Sequence, residues 1–267
     1  MDFSQFAEQH GLIIDHVVHD RWVRVPTTDH PHKKNGSYKF VGDAGWVQNF
    51  ATMEEPVMWK GKAIFRDTAT LVAKREAAKK ERLESQKKAM KKAAWILNNA
   101  KKETHPYLVK KGFPAEKGYV WNDLLVIPMR SSGNLVGCQL IDKLGNKKFL
   151  SGQVTKGAEA IFDAKGLHIV CEGYATALSI RRVMKLIGKR YRIHVSFSAG
   201  NIPVIANGLE CVIVADNDTT GIKVAKSTGK PYWVSPVEKE DFNDAEMRLG
   251  TDVLSVAFSQ FLTQETH

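Results

Sequence analysis

The stretch His168-Ile-Val-Cys-Glu-Gly-Tyr-Ala-Thr-Ala-Leu-Ser-Ile180, read together with Cys211-Val-Ile-Val-Ala-Asp-Asn-Asp218, decides the fold. Each begins as a short apolar, β-branched run without alternation, the pattern of a strand buried on both faces, and then turns toward helical sequence. Strands of that kind belong to an open parallel sheet flanked by helices, so an α/β fold is expected. Each run also delivers acids at its carboxyl end: Glu172 after the first, Asp216 and Asp218 after the second. A third segment, Lys239-Glu-Asp-Phe-Asn-Asp244, adds Asp241 and Asp244. In an open parallel sheet that edge is where ligands bind. Carboxylates gathered there repel one another unless a cation neutralises them, and hard oxygen donors suit Mg²⁺ or Mn²⁺ and phosphoryl chemistry. The same acids have plainer uses too: Glu172 could cap the helix starting near Tyr174, and Asp216 and Asp218 could be loop acids at the next helix N-terminus.

A strand ending in Glu-Gly, followed about 40 residues later by a strand ending in Asp-x-Asp and then by a further acid, resembles the Toprim domain of primases, topoisomerases and certain nucleases. The resemblance covers residues 167 to 250. It implies a catalytic set of Glu172, Asp216 and Asp218, with Asp241 and Asp244 joining those three as metal ligands. Two departures from the family pattern stand out. Thr176 occupies the place of an acid often found four residues after the glutamate, and the third motif reads Asp241-Phe-Asn-Asp244 where the family has Asp-x-Asn-Glu. Asp241 is therefore the better ligand, and Asp244 is a secondary one that caps the following helix.

Bulk composition agrees with a nucleic-acid role. The chain of 267 residues is long enough for about two domains. Its 39 Lys and Arg against 29 Asp and Glu leave a charge of +10, which suits a polyanionic partner, though charge also serves plain solubility. The three cysteines, Cys138, Cys171 and Cys211, include no Cys-x-x-Cys pair. They read as buried apolar residues in a reducing compartment, and a cysteine-based zinc ribbon is excluded. Neither a signal sequence nor a membrane span is evident, so a cytoplasmic location is expected.

Outward from the acid-bearing strands, four further segments can be drawn. Residues 1–65 alternate aromatic and polar positions, with Asn35-Gly36 and Asp43 to Gly45 as hairpin-turn signals, and read as a small β-rich module. Arg21, Arg24, Lys33, Lys34 and Lys39 interleave there with Trp22, Tyr38, Phe40, Trp46 and Phe50, so cations could hold phosphates while rings stack on bases. The alternative is a small aromatic core with a solvated basic rim. His16, His19, His30 and His32 invite a metal reading but have no cysteine partners. Residues 66–104 turn Ala/Lys/Glu/Arg-rich: a long helix from Asp67 to Ala100, on the order of 50 Å, docking only near Trp95 to Leu97 and ended by Thr104-His105-Pro106. Residues 105–165 form a basic unit with a meander of Leu124 to Arg130, Leu135 to Asp142 and the Lys147-Lys-Phe-Leu-Ser-Gly152 run. The acid-bearing segment is assigned to residues 166–250, and residues 251–267 read as a last helix or tail.

The resemblance extends into these segments. His105-Pro-Tyr-Leu-Val-Lys-Lys-Gly112, the Val126-Ile-Pro128 and Gln139-Leu-Ile-Asp142 strands and the Lys147–Gly152 run look like the smaller, basic half of the catalytic domain in plasmid and phage primases. The N-terminal Arg21-Trp-Val-Arg-Val-Pro26 and Lys33-Lys-Asn-Gly36 motifs look like the degenerate, zinc-free version of a primase template-binding domain. The resemblance implies a DNA primase making short RNA on single-stranded DNA from ribonucleoside triphosphates, with Mg²⁺ or Mn²⁺ and no structural zinc, working beside a separate replicative helicase. Glu172 would serve as general base or position a metal. Lys147, Lys148, Lys156 and Arg130 would contact nucleotide or template, and Arg21, Trp22, Arg24, Lys33, Lys34 and Tyr38 would bind DNA in the N-terminal module. A topoisomerase would need a nucleophilic tyrosine in a separate large domain, and a Toprim nuclease coupled to an ATPase would need a phosphate-cradling Gly-x-x-x-x-Gly-Lys-Ser/Thr loop; neither motif is present. A compact Toprim-type nuclease, or a non-catalytic single-strand-binding adaptor that kept the scaffold, remains as the alternative.

Overall fold

The computed structural model describes residues 1–61 and 68–265. The expected boundary at 65/66 and the expected helix start at Asp67 lie outside the described residues, as do Thr266 and His267. The chain divides into two compact units, Met1–Glu76 and Ala77–His267.

In the first unit, helix α1 (Phe3–Gln9) starts at an Asp2/Gln5 capping box. It packs on one face of an antiparallel sheet of β1 (Trp22–Val25), β2 (Gly36–Val41), β3 (Ala44–Asn49) and β4 (Val57–Lys60), adjacent in that order. Alternation sends Val25, Tyr38 and Val47 into the core with Phe3, Ala7 and Leu12. Gly45 is required there, because a Cβ would collide with the Phe3 ring. One expected turn is corrected: Asn35-Gly36 is not a hairpin turn, since Gly36 already lies in β2, paired with Val25 on one side and Asn49 on the other. A Cβ at Gly36 would press on Thr27 and Leu12, so this glycine serves close packing and the β1–β2 connection spans residues 26–35. The other expected turn falls at Gly42 and Asp43, with Gly42 at φ 74°.

Helix α2 (Thr68–Asn99) carries the chain from the first unit into the second. Its sparsely apolar middle is exposed, and among the described side chains only Ala89, Ala93 and Ile96, spaced to share a face, are buried, against Val126, Cys138 and Leu150. The helix ends within one residue of the expected Ala100, but Thr104-His105-Pro106 is not what stops it. It stops at Asn99, whose amide donates to the Trp95 carbonyl at 2.8 Å, because the next residues pair as strand β5 (Lys101–Glu103) with β6 (Gly118–Trp121). His105-Pro106 instead opens α3 (Pro106–Lys110), with the His105 ring accepting from the Tyr107 N–H. β7 (Leu124–Ser131), β8 (Asn134–Ile141) and β9 (Lys147–Phe149) complete an antiparallel sheet ordered β5-β6-β7-β8-β9.

A second five-stranded sheet holds β10 (Ala160–Asp163), β11 (Leu167–Cys171), β12 (Tyr191–Val195), β13 (Cys211–Val214) and β14 (Tyr232–Trp233), ordered β10-β12-β11-β13-β14. All neighbours are parallel except β10, which joins β12 antiparallel from the stretch that the sequence reading grouped with the meander. Ile169, Cys171, Val212 and Val214 face α4 (Tyr174–Leu186), α7 (Phe242–Leu249) and α8 (Thr251–Glu265). Val170, Ile213 and Ala215 face α5 (Ile202–Ala206) and α6 (Thr219–Ser227). Burial on both faces explains the uninterrupted apolar runs. The molecule is the mixed α/β, multidomain architecture expected from the sequence. Among the described residues no helix is long and apolar enough to cross a membrane.

Candidate functional site

The two runs that decide the fold also place its crevice. After β11 the chain enters α4 on one face of the sheet and pairs next as β12; after β13 it enters α6 on the other face and pairs next as β14. The order therefore reverses between the adjacent strands β11 and β13, and Glu172 and Asp216 stand at their carboxyl ends. Glu172 does not cap α4, whose N-cap is Gly173 without a side-chain bond. Its carboxylate instead receives the Ala199 backbone N–H.

Asp218 is the N-cap of α6 and accepts the Gly221 N–H at 2.6 Å. The first turn of α6 lies so close to Asp216 that a Cβ on Gly221 would collide with the Asp216 carbonyl oxygen. Between the two acids, Asn217 has a role that its sequence position did not disclose. Its amide donates to the carbonyls of Ser235 and Val237, while its backbone exchanges bonds with Lys239 and Glu240. That clasp fixes residues 235–240 and so presents Asp241, the N-cap of α7. The capping roles are corrected by this geometry: Asp241 caps α7, accepting the Asp244 N–H at 2.8 Å, and Asp244 closes the box by accepting the Asp241 N–H.

Electrostatics tie these acids together. Burial, then Asp241, Glu172 and Asp218, push the Asp216 carboxyl up to about 7. Its Oδ1 is buried without a hydrogen-bond partner. Burial also raises the Glu172 carboxyl; Lys147 opposes the rise, and Asp218 and Asp241 add to it. Beneath them, burial and the same acids hold the Cys171 thiol protonated. Lys111, at the C-terminus of α3, stands 3.1 Å from Asp244 and 4.0 Å from Asp241. Sequence reading passed over Lys111, which comes 130 positions before Asp241 and has no local signal beyond a Lys-Lys pair. It is held by Asn243, whose amide donates to the Lys111 carbonyl and to Ser179.

The other basic residues do not gather as a group. Lys147 is the cation whose charge reaches Glu172 and Asp216. Lys148, next along β9, points to the opposite face by strand alternation. Lys156 lines a different groove with Glu81, Arg82 and Ser85 of α2, and Arg130 donates to the Gly133 carbonyl. Among the described residues no group of three or more His, Cys, Asp or Glu side chains stands ready-made around a metal position.

In the N-terminal unit, Tyr38 is corrected. It is fully buried, and its hydroxyl donates to the His16 carbonyl and accepts the Val18 N–H, so no base can stack on it. The sheet face opposite the core carries what Tyr38 cannot. Register aligns Trp22, Lys39, Trp46 and Met58 in one row across all four strands, with Arg24 two residues along from Trp22 and its guanidinium 4.2 Å over the Phe50 ring. Trp22 is half exposed, and Arg21, Lys33 and Lys34 are exposed beside the sheet. His19 packs its ring edge-on against Phe40.

Compared by sequence, the chain matches no protein-family model and no curated protein. By structure, it is similar to a chain in a structure of bacteriophage T7 lagging-strand DNA polymerase interacting with primase domains of two gp4 subunits bound to an RNA/DNA hybrid and dTTP. That likeness has 14% identity and a TM-score of 0.41, over 61% of this chain and 91% of the other.

Proposed function

We propose that this chain is a DNA primase of the plasmid or phage type with a Toprim catalytic half, synthesising short RNA primers on single-stranded DNA. The observation that carries the reading is Asp216: a buried carboxylate oxygen without a partner, at a topological crevice shared with Glu172, Asp218 and Asp241. Leaving such a group unpaired is costly, and a hard divalent cation is what an all-oxygen set of this kind completes. Glu172, Asp216, Asp218 and Asp241 would hold Mg²⁺ or Mn²⁺, with Asp244 behind Asp241. Bound there, the ion would offset charge on the incoming triphosphate and its pyrophosphate leaving group. Without it, Glu172 and Asp216 hold their protons more tightly, through burial first and then through the neighbouring acids.

The chain's own groups then divide the work. Burial keeps Glu172 basic enough to take a proton from an attacking 3′-hydroxyl. Lys147, set against Glu172 and Asp216, would meet phosphate oxygens, and Lys111 would hold Asp241 and Asp244 in position. Lys148, Lys156 and Arg130 would contact template backbone or nucleotide without reading sequence. In the N-terminal unit, Trp22 and Trp46 would stack on template bases while Arg21, Arg24, Lys33, Lys34 and Lys39 hold phosphates. A role in DNA replication puts the protein in the cytoplasm beside a separate helicase.

The test is incubation of the whole chain with single-stranded DNA, labelled ribonucleoside triphosphates and Mg²⁺ or Mn²⁺. Short RNA that needs both template and metal is the expected product. DNA binding without any RNA would replace this reading with the adaptor, and degradation of the DNA would replace it with the nuclease.

A further inference from the structure

Strands β7 and β10 belong to different sheets and meet at one point, where Arg130 and Glu159 exchange backbone hydrogen bonds of 2.8 Å in both directions. Continued, that ladder would bring Pro128 opposite Ile161, but proline has no N–H to give and the strands part. The parting opens a cleft of about 360 Å³ whose lining includes none of Glu172, Asp216, Asp218 and Asp241 and shares only Arg130 with the residues proposed above to contact nucleotide or template. That volume lies in the range of small-ligand sites.

Three cations line the cleft, Lys102, Lys117 and Arg130, together with the rings of Tyr119, Phe162 and Tyr174. Its two acids are already committed. Glu116 pairs with Arg181 at 2.5 Å, and Glu159 receives the His194 ring at 2.6 Å. Among the described residues Lys117 and Arg130 form no ion pair, and Lys102 sits 5.3 Å over the Tyr119 ring, so the lining holds three cations against two acids and is net positive. Phe162 is covered by Tyr174 at 5.6 Å and by the Arg181 guanidinium at 5.2 Å, whereas Tyr119, 36% exposed, has among the described residues only the flexible Lys102 ammonium over its ring. One wall is β10, an edge strand whose side away from β12 pairs, among the described residues, with no strand beyond the Glu159 bridge and so offers backbone donors and acceptors.

An aromatic ring, cations outside any ion pair and a strand edge match three parts of one ligand class: a π-face, a phosphate and the hydrogen-bonding edge of a heterocycle. We propose that this cleft binds a nucleobase carrying phosphate, stacked on Tyr119, with Lys117 and Arg130 on the phosphate. The unit is supplied either by a free nucleotide or by one nucleotide of a single strand. Neither source depends on the acid crevice being catalytic.

Two measurements on the whole chain in EDTA distinguish the sources. In the first, a fluorescent N-methylanthraniloyl ATP is titrated against wild type, Tyr119→Ala, Tyr119→Phe and the double variant Lys117→Ala/Arg130→Ala. In the second, an oligodeoxynucleotide carrying 5-iododeoxyuridine is photo-cross-linked to the unaltered protein and the attachment point is mapped by mass spectrometry. A free-nucleotide site shows about tenfold weaker binding for Tyr119→Ala, affinity near wild type for Tyr119→Phe, and weaker binding with a shallower salt dependence for the double variant. A strand site shows the cross-link at Tyr119. EDTA removes the divalent cation that the primase reading needs, so a failure of that reading leaves both measurements unchanged and the two outcomes stay distinguishable. The proposal is overturned if the titration does not distinguish Tyr119→Ala from Tyr119→Phe and no cross-link falls on the cleft.

Discussion

Replacing Asp216 by Asn should make the metal-free protein more stable, although it removes the best-placed metal ligand. The carboxyl is raised from 3.8 to about 7 in the folded chain, by burial first and then by Asp241, Glu172 and Asp218. A folded state that holds its proton more tightly than the unfolded one loses stability as pH rises through that interval, so the penalty is absent near pH 4, grows up to about 7 and is complete above it. About three pH units at ~1.4 kcal/mol each give ~4 kcal/mol at pH 8 as an upper figure. Allowing half for relaxation and for repulsion shared among the four acids leaves ~2 kcal/mol, or about 4–8 °C in Tm for a unit of this size. The assay is thermal unfolding of both proteins in EDTA between pH 4 and 8, repeated with Mn²⁺. Asp216→Asn should unfold several degrees later at pH 8, no later near pH 4, and should lose the stabilisation by Mn²⁺ that the wild type shows. A variant less stable than wild type at pH 8, or one stabilised by Mn²⁺ as much as wild type is, would refute the reasoning.

Asp241→Ala should reduce primer synthesis more than Asp244→Ala, because Asp241 is the acid whose charge bears most on Asp216 and is also the N-cap of α7; the ratio of the two rates decides it. Trp22→Ala with Trp46→Ala should weaken single-stranded DNA binding by ~1–3 kcal/mol per lost stack, read by fluorescence anisotropy, without unfolding the unit, since both rings lie on the face away from its core. Tyr38→Phe should instead leave DNA binding unchanged and cost ~1 kcal/mol of stability in denaturant titration, because it removes the partner of the part-buried Val18 N–H. Glu246→Ala should destabilise the second unit by several kcal/mol in the same titration, since Ser179, Arg182 and Thr251 all bond to that buried carboxylate.

The parts of this fold that the sequence disclosed are those whose cause is local. Val170, Ile213 and their neighbours make unbroken β-branched runs because helices cover both faces of β11 and β13, and the acids come at the strand ends because the chain turns there. Tyr38 is misread from sequence because alternation tells which residues share a face but not which face is covered; only the packing of α1 settles that Tyr38 goes in and Trp46 stays out. Lys111 and Asn217 escape for a different reason. Each acts through contacts with partners distant in sequence, Lys111 on Asp244 and Asn217 on Ser235, and a single lysine or asparagine carries no pattern that announces such a partner. Sequence places the end of α2 near Ala100, where the helix-favouring composition runs out, but gives the stop to Thr104-His105-Pro106, whereas pairing of Lys101–Glu103 with β6 claims the backbone directly after Asn99.

The central claim, that the acid crevice carries nucleotidyl transfer, is tested most directly by Asp218→Asn. Asparagine caps a helix as well as aspartate does, so α6 and its bond from Gly221 should survive while one carboxylate is lost. Primer synthesis and single-stranded DNA affinity are measured on the same preparation with Mg²⁺ or Mn²⁺. The account predicts that primer synthesis is abolished and DNA affinity stays within about twofold of wild type. Primers made at the normal rate by Asp218→Asn would contradict it.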